Sequence, residues 1–153
     1  MAYVITKMKA SSLPSLILAA TLIAGSSWAS LASAQDTLIR KSGQKTEGKI
    51  TGVKGGKVRI QIGSGATTIP LADIRKITMM APPTFDAAAA ELASGNVQTA
   101  VTLLQKLNDN FAGLPVPWAE RAAAMLGDAK LEAGDAAGAK AAYAKFSEIY
   151  PEA

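Results

Sequence analysis

Any chemistry in this chain would have to be done by carboxylates, hydroxyls and amines, because its 153 residues include neither histidine nor cysteine. That removes the side chains most often used for proton transfer near neutral pH, thiolate attack and zinc ligation. The acidic residues Asp86, Glu91, Asp109, Glu120, Asp128, Glu132, Asp135 and Glu148 are spaced as solvated helix faces and caps. None belongs to a pair bracketed by apolar residues, the setting that raises one carboxyl pKa and leaves its partner ionised. Ser64 stands between Gly63 and Gly65, sharing letters with a nucleophile elbow. It lacks the surrounding motif and a histidine base, so it reads as a hairpin turn. Gly52 to Gly56 has neither the Lys-Ser/Thr ending of a phosphate-binding loop nor a following helix. The pattern argues against an enzyme and implies no metal and no cofactor.

The remaining informative spacing concerns binding, and it sits in helices. Trp118, Ala122, Met125 and Ala129 recur at intervals that place them on one helical face. Gly134 then closes that helix and Asp135 caps the next by accepting from its free backbone N–H groups. The second stripe is Ala139, Ala142, Tyr143, Phe146, Ile149 and Tyr150, ended by Pro151, which cannot continue the helix hydrogen bonds. Small residues at Ala123, Gly127 and Ala139 are expected to let the two helices approach closely, with Tyr143 and Phe146 filling the space beside them.

In register, Leu126, Gly127, Ala139, Tyr143, Phe146 and Pro151 resemble one complete tetratricopeptide repeat. Ala123 and Lys130 depart from it, standing where larger aromatic residues are common. A looser copy lies upstream. Phe85, Ala88, Ala89 and Leu92 precede Gly95-Asn96, and Val97, Ala100, Val101, Leu104 and Leu107 follow it. The offset between the copies is 39 residues, the excess over a 34-residue repeat falling in the Pro-bearing stretch 111–117. An ordinary four-helix domain with alanine-rich stripes is the competing reading.

The amino terminus reads as an export signal. Lys7 and Lys9 precede an apolar run from Leu13 to Ala24, and Ala32-Ser33-Ala34 supplies the small residues that a signal peptidase reads. Cleavage after Ala34 is expected, giving a periplasmic or secreted chain with no stable membrane span. The apolar run is short and interrupted by Pro14, Ser15 and Thr21, though an uncleaved anchor is the alternative. No cysteine follows it, which argues against a lipoprotein. Without disulfides, stability must come from packing alone.

Residues 36–80 follow a different grammar. Short β-type runs at 37–40, 45–53, 57–62, 66–71 and 77–79 are separated by Ser42-Gly43, Gly55-Gly56, Gly63 to Gly65 and Ala72-Asp73. Alternation is clearest where Val58, Ile60 and Ile62 point inward and Arg59 and Gln61 outward. Gly55-Gly56 provides the positive φ that a tight hairpin needs. Five short strands predict a small closed barrel, since closure hides sheet edges. The layout, with Gly48-Lys49-Ile50 and an ending from Ile69 to Ile74, resembles Sm-like and Src-homology-3-like barrels. The expected organisation is α+β: a signal peptide at 1–34, a five-stranded barrel at 35–80, a Pro-Pro joint at 81–83, and four antiparallel helices in two repeat-like hairpins at 84–153.

Charge divides the halves as well. Residues 35–80 carry nine Lys or Arg against three Asp or Glu, a net of +6, whereas residues 81–153 carry five against nine, a net of −4. Arg40, Lys41, Lys45, Lys49, Lys54, Lys57 and Arg59 either attract an anionic polymer or membrane surface or simply protect exposed strands from aggregation. Nucleic acid is not an expected ligand, because 35–80 holds no Phe, Tyr or Trp on which a base could stack. The tetratricopeptide resemblance implies a protein or peptide partner held by the first helix of a pair, here by Arg121, Ala124, Asp128, Leu131 and Glu132. Two repeat units are fewer than the three or so that usually make a stable array, so self-association is a further expectation. The function expected is a non-enzymatic adaptor or scaffold in a bacterial envelope, the alternative being an anionic-surface binder acting through the basic strands.

Overall fold

The computed structural model describes residues 35–152, so the signal-peptide reading of 1–34 lies outside the described residues. Five strands come first: β1 (Asp36–Arg40), β2 (Lys45–Lys54), β3 (Lys57–Ile62), β4 (Gly65–Pro70) and, after a 3-10 turn at Leu71–Asp73, β5 (Ile74–Thr78). Four helices follow: α1 (Pro83–Ala93), α2 (Val97–Phe111), α3 (Pro117–Glu132) and α4 (Ala136–Ile149). The class is α+β, as expected.

The strands form one antiparallel sheet in the order β4-β3-β2-β1-β5. Gly55 and Gly56, at φ of 56° and 68°, make the β2–β3 turn that their types predict. Val58 and Ile60 alternate with Arg59 and Gln61, the first two fully buried and the second two exposed, but Ile62, expected inward, is 47% exposed at the end of β3. Asp36 extends the β1–β2 ladder: its carboxylate accepts from the Ile50 N–H at 2.8 Å.

Two features differ from the sequence reading. β5 begins at Ile74, three residues before the predicted run, because Ile74 pairs with Arg40 across a bulge at Arg75 of β5. More consequentially, the sheet is open. β4 and β5 are its edges and do not pair with each other, so the expected closed barrel is not formed. The physical reason is that helices, not closure, take the inner face out of water. Leu38, Ile50, Val58, Ile60, Ile69, Ile74 and Ile77 from the sheet share a contiguous buried cluster with Phe85, Leu104, Leu107, Leu114, Trp118 and Leu126. At 1.5–3 kcal/mol for each large aliphatic side chain removed from water, roughly, this shared cluster is the main stabilising element.

The helices begin and end where simple rules place them. Pro83 and Pro117 occupy first-turn positions, where a missing N–H costs nothing. Asp135 caps α4 by accepting from the Gly138 N–H at 2.8 Å. Consecutive helices pack against each other along the chain, α1 on α2, α2 on α3 and α3 on α4. The carboxyl end of α2 also meets the sheet. Gly52 lies at a β2 bulge with φ of 154°, and a Cβ there would sit 2.7 Å from the Asn110 carbonyl oxygen. A larger residue would force α2 off the strand.

At the junction Trp118 meets Phe111 edge to face with ring centroids 5.2 Å apart, and Phe85 at 6.3 Å. Its indole N–H is buried without an acceptor. At the far end, the Tyr150 hydroxyl accepts from the Gly113 N–H at 2.9 Å, tying the end of α4 to the α2–α3 connection.

Candidate functional site

On α3, spacing brings the five residues expected to contact a partner onto one stripe. Arg121, Asp128, Leu131 and Glu132 are exposed and Ala124 is half-buried. Leu131 is 57% exposed, a large apolar side chain among polar neighbours. Asp128 is already engaged: its carboxylate accepts from the Tyr143 hydroxyl on α4. That bond is the largest cause of a raised Tyr143 pKa, since the carboxylate stabilises the protonated phenol. The Tyr143 ring can reach Asp128 because it lies across Gly127, where a Cβ would overlap the ring. The small residue at 127 thus seats an aromatic side chain from the next helix.

A second feature lies on the other flank of α3, and none of the five borders it. Between α2 and α4 is a half-open cleft of about 170 Å³. Gln105 and Asn108 line it from α2, Ala112 from the residue that follows, and Ala123, Leu126 and Lys130 from α3. Gly138, Ala141, Ala142, Lys145, Phe146 and Ile149 complete it from α4. The sequence reading missed this cleft. Its signal was present in the small residues Gly138, Ala141 and Ala142. Facing Ala123, these short side chains leave space unfilled where α2 and α4 flank α3, while α3 and α4 themselves approach closely at Gly127, where the Tyr143 ring lies.

The cleft is mainly apolar, with four polar residues on its lining. Asn108, only 8% exposed, donates both protons of its side-chain amide, to the Leu104 carbonyl at 2.9 Å and to the Ala122 carbonyl at 3.1 Å. Two carbonyl partners fix which end of the amide is nitrogen. Among the described residues no hydrogen bond engages its Oδ1, and Asn108 borders the cleft. The other polar residues on its lining are Gln105, whose amide donates to the Asp109 carboxylate at 2.9 Å, and the two lysines Lys130 and Lys145. Lys130 lies 3.9 Å from Asp135, a long pair of little energetic weight. No carboxylate lines the cleft.

The basic residues of the sheet are only partly brought together. Lys45, Lys49, Lys54, Lys57 and Arg59 are exposed along the outward side of β2 and β3, and Lys45 is paired with Glu47. Lys41 is exposed in the β1–β2 turn. Arg40 leaves the group: it continues the inward row of Leu38, and its Nε is buried without an acceptor.

Acid–base chemistry finds no better footing. Burial pushes the Asp36 carboxyl above its ordinary range, against the opposing pull of the Ile50 N–H and the Lys49 charge. Asp36 and Glu47 both border a broad groove of about 870 Å³, but one is tied to backbone and the other to Lys45. Among the described residues no group of three acidic, His or Cys side chains could hold a metal ion, and no helix is long and apolar enough to cross a membrane.

Compared with known proteins, the chain matches no family model, no curated sequence and no solved structure. The functional reading therefore rests on its own geometry.

Proposed function

We propose that this chain is an exported, non-enzymatic adaptor that holds a protein or peptide partner in a bacterial envelope through its helical half. The observation that carries the reading is the mainly apolar cleft between α2, α3 and α4, a hollow that no side chain among the described residues fills. The exposed Leu131 on the neighbouring stripe adds a second apolar contact. The antiparallel order of α1 to α4, with turns at Gly95 and Gly134, supports the view of two tetratricopeptide-like hairpins. The strand order, with a 3-10 turn between β4 and β5, supports a relation to small Sm-like or Src-homology-3-like barrels. In this view the sheet buttresses the helices and the helices make the contact.

The test is affinity capture from envelope extract with a high-salt wash, comparing the wild-type chain with Ala142→Trp, which fills the cleft, and Leu131→Glu. A partner retained through the wash and lost with Ala142→Trp is the expected result. Bound material that leaves in salt and ignores both substitutions would overturn it, because exposed electrostatic attraction is screened whereas apolar burial is not.

A second reading has its own observation, the outward row of Lys49, Lys54, Lys57 and Arg59 on β2 and β3. It makes the sheet a binder of anionic polymer or membrane surface. Reversing charge at Lys57 and Arg59 would abolish that activity and leave cleft binding intact.

A further inference from the structure

Resting on the adaptor reading, we propose that the cleft receives one branched or aromatic side chain of an acidic partner segment, with carboxylates of that segment flanking it at Lys130 and Lys145. Size sets the first half of this statement. Apolar cavities of about 150 Å³ hold a benzene ring, so a hollow of about 170 Å³ accommodates a single leucine- or phenylalanine-sized group. It is too small for the several anchors of an amphipathic helix lying in a groove. One anchor on an extended segment fits.

Charge sets the second half. The helical region is acidic, nine carboxylates against five basic groups, yet both charged side chains at this cleft are lysines. A basic segment would meet two like charges at the moment its anchor enters, and like-charge juxtaposition at an interface is costly. An acidic segment meets two partners instead. Asn108 supplies the third element. With both amide protons committed to Leu104 and Ala122, its Oδ1 offers a fixed acceptor for a backbone N–H of the incoming segment. That acceptor favours a peptide over a simple aromatic acid, which has no amide to donate.

The experiment uses the isotope-labelled chain and four probes, followed by backbone amide chemical shifts. Acetyl-Glu-Asp-Leu-Asp-Glu-amide is compared with the same peptide carrying alanine in place of leucine, with one carrying lysine in place of all four acids, and with benzoate. The expected result is saturable shifts at Leu126, Ala142 and Phe146 with the first peptide. Binding should be at least about tenfold weaker for the alanine and lysine peptides, and absent for Ala142→Trp. Lys145→Glu, at an exposed position, should remove most of the preference for the acidic over the lysine peptide, because the new carboxylate offsets Lys130. That loss of discrimination keeps the proposal testable even if Ala142→Trp perturbs folding. Equal binding of acidic and basic peptides would overturn the acidic-partner proposal while leaving the adaptor reading to stand on its captured partner. Binding of benzoate as tight as the peptide would overturn it in favour of a small-molecule site. No shifts at the cleft, together with no salt-resistant captured partner, would remove both.

Discussion

The two halves of this molecule solve the same problem with different materials. The sheet buries Leu38, Ile50, Val58, Ile60 and Ile69, each with almost no surface left in water. Much of the helical interior is alanine: Ala88, Ala100, Ala119, Ala122, Ala123, Ala129 and Ala139 are buried. A buried alanine removes far less apolar surface than an isoleucine, so the helices gain less per residue from packing. They also leave a hollow where short side chains meet. Large aliphatic side chains and alanines thus build two differently filled interiors, and the shared cluster couples them.

The largest effect that would break this comparison comes from the sheet. Ile60→Ala removes a fully buried side chain and is expected to cost about 2–5 kcal/mol. Because sheet and helices share one cluster, thermal melting followed by circular dichroism at helical and strand wavelengths should move as a single transition. Two separate transitions would show that the halves stand independently. Gly127→Ala comes next, at about 1–3 kcal/mol despite alanine's better helix propensity, because the new Cβ must push the Tyr143 ring away and break its bond to Asp128. Denaturant midpoints measure it, and an unchanged midpoint would mean that α3 and α4 adjust freely. Asp135→Ala should cost about 1 kcal/mol by uncapping α4, read the same way.

A pH effect is smaller and belongs to the helical end. Burial raises the Tyr150 pKa above its ordinary 10.0, outweighing the opposing hydrogen bond from Gly113. A folded-state pKa above the unfolded one means that the phenol's contribution is complete below pH 10.0 and is lost as pH rises through the folded value. Stability measured across that alkaline range should fall more steeply for the wild type than for Tyr150→Phe; parallel curves would remove Tyr150 as the cause. Smallest of all, Lys57→Glu with Arg59→Glu should change stability by no more than about 0.5 kcal/mol, since both side chains are exposed. The pair serves to separate surface electrostatics from fold.

Local features were legible in the sequence and collective ones were not. Gly55-Gly56, the alternation from Val58 to Gln61, the cap at Asp135 and the stop before Pro151 all act through neighbours a few residues away. Types and spacing determine them directly. The open sheet was not legible, because closure depends on whether something else covers the inner face, and Phe85, Leu104 and Trp118 come from far along the chain. The cleft was hidden for a related reason. Ala123 and Ala142 look alike to a pattern reader whether two helices close over them or stand apart. What decides it is how α2 and α4 are placed on α3, where Leu126 and Phe146 line the space that remains. The engagement of Asp128 by Tyr143 likewise needs the register of α4 on α3, which sequence spacing within either helix does not contain.

Trp118 also gives the molecule a built-in optical probe. The sequence holds two tryptophans, and the other, Trp28, precedes the expected cleavage point. The processed chain would therefore emit from a single indole, 8% exposed and wedged against Phe85 and Phe111 where α1, α2 and α3 converge with the sheet. Its colour and quenching would report, without any added label, the instant at which water first enters the seam between the two halves.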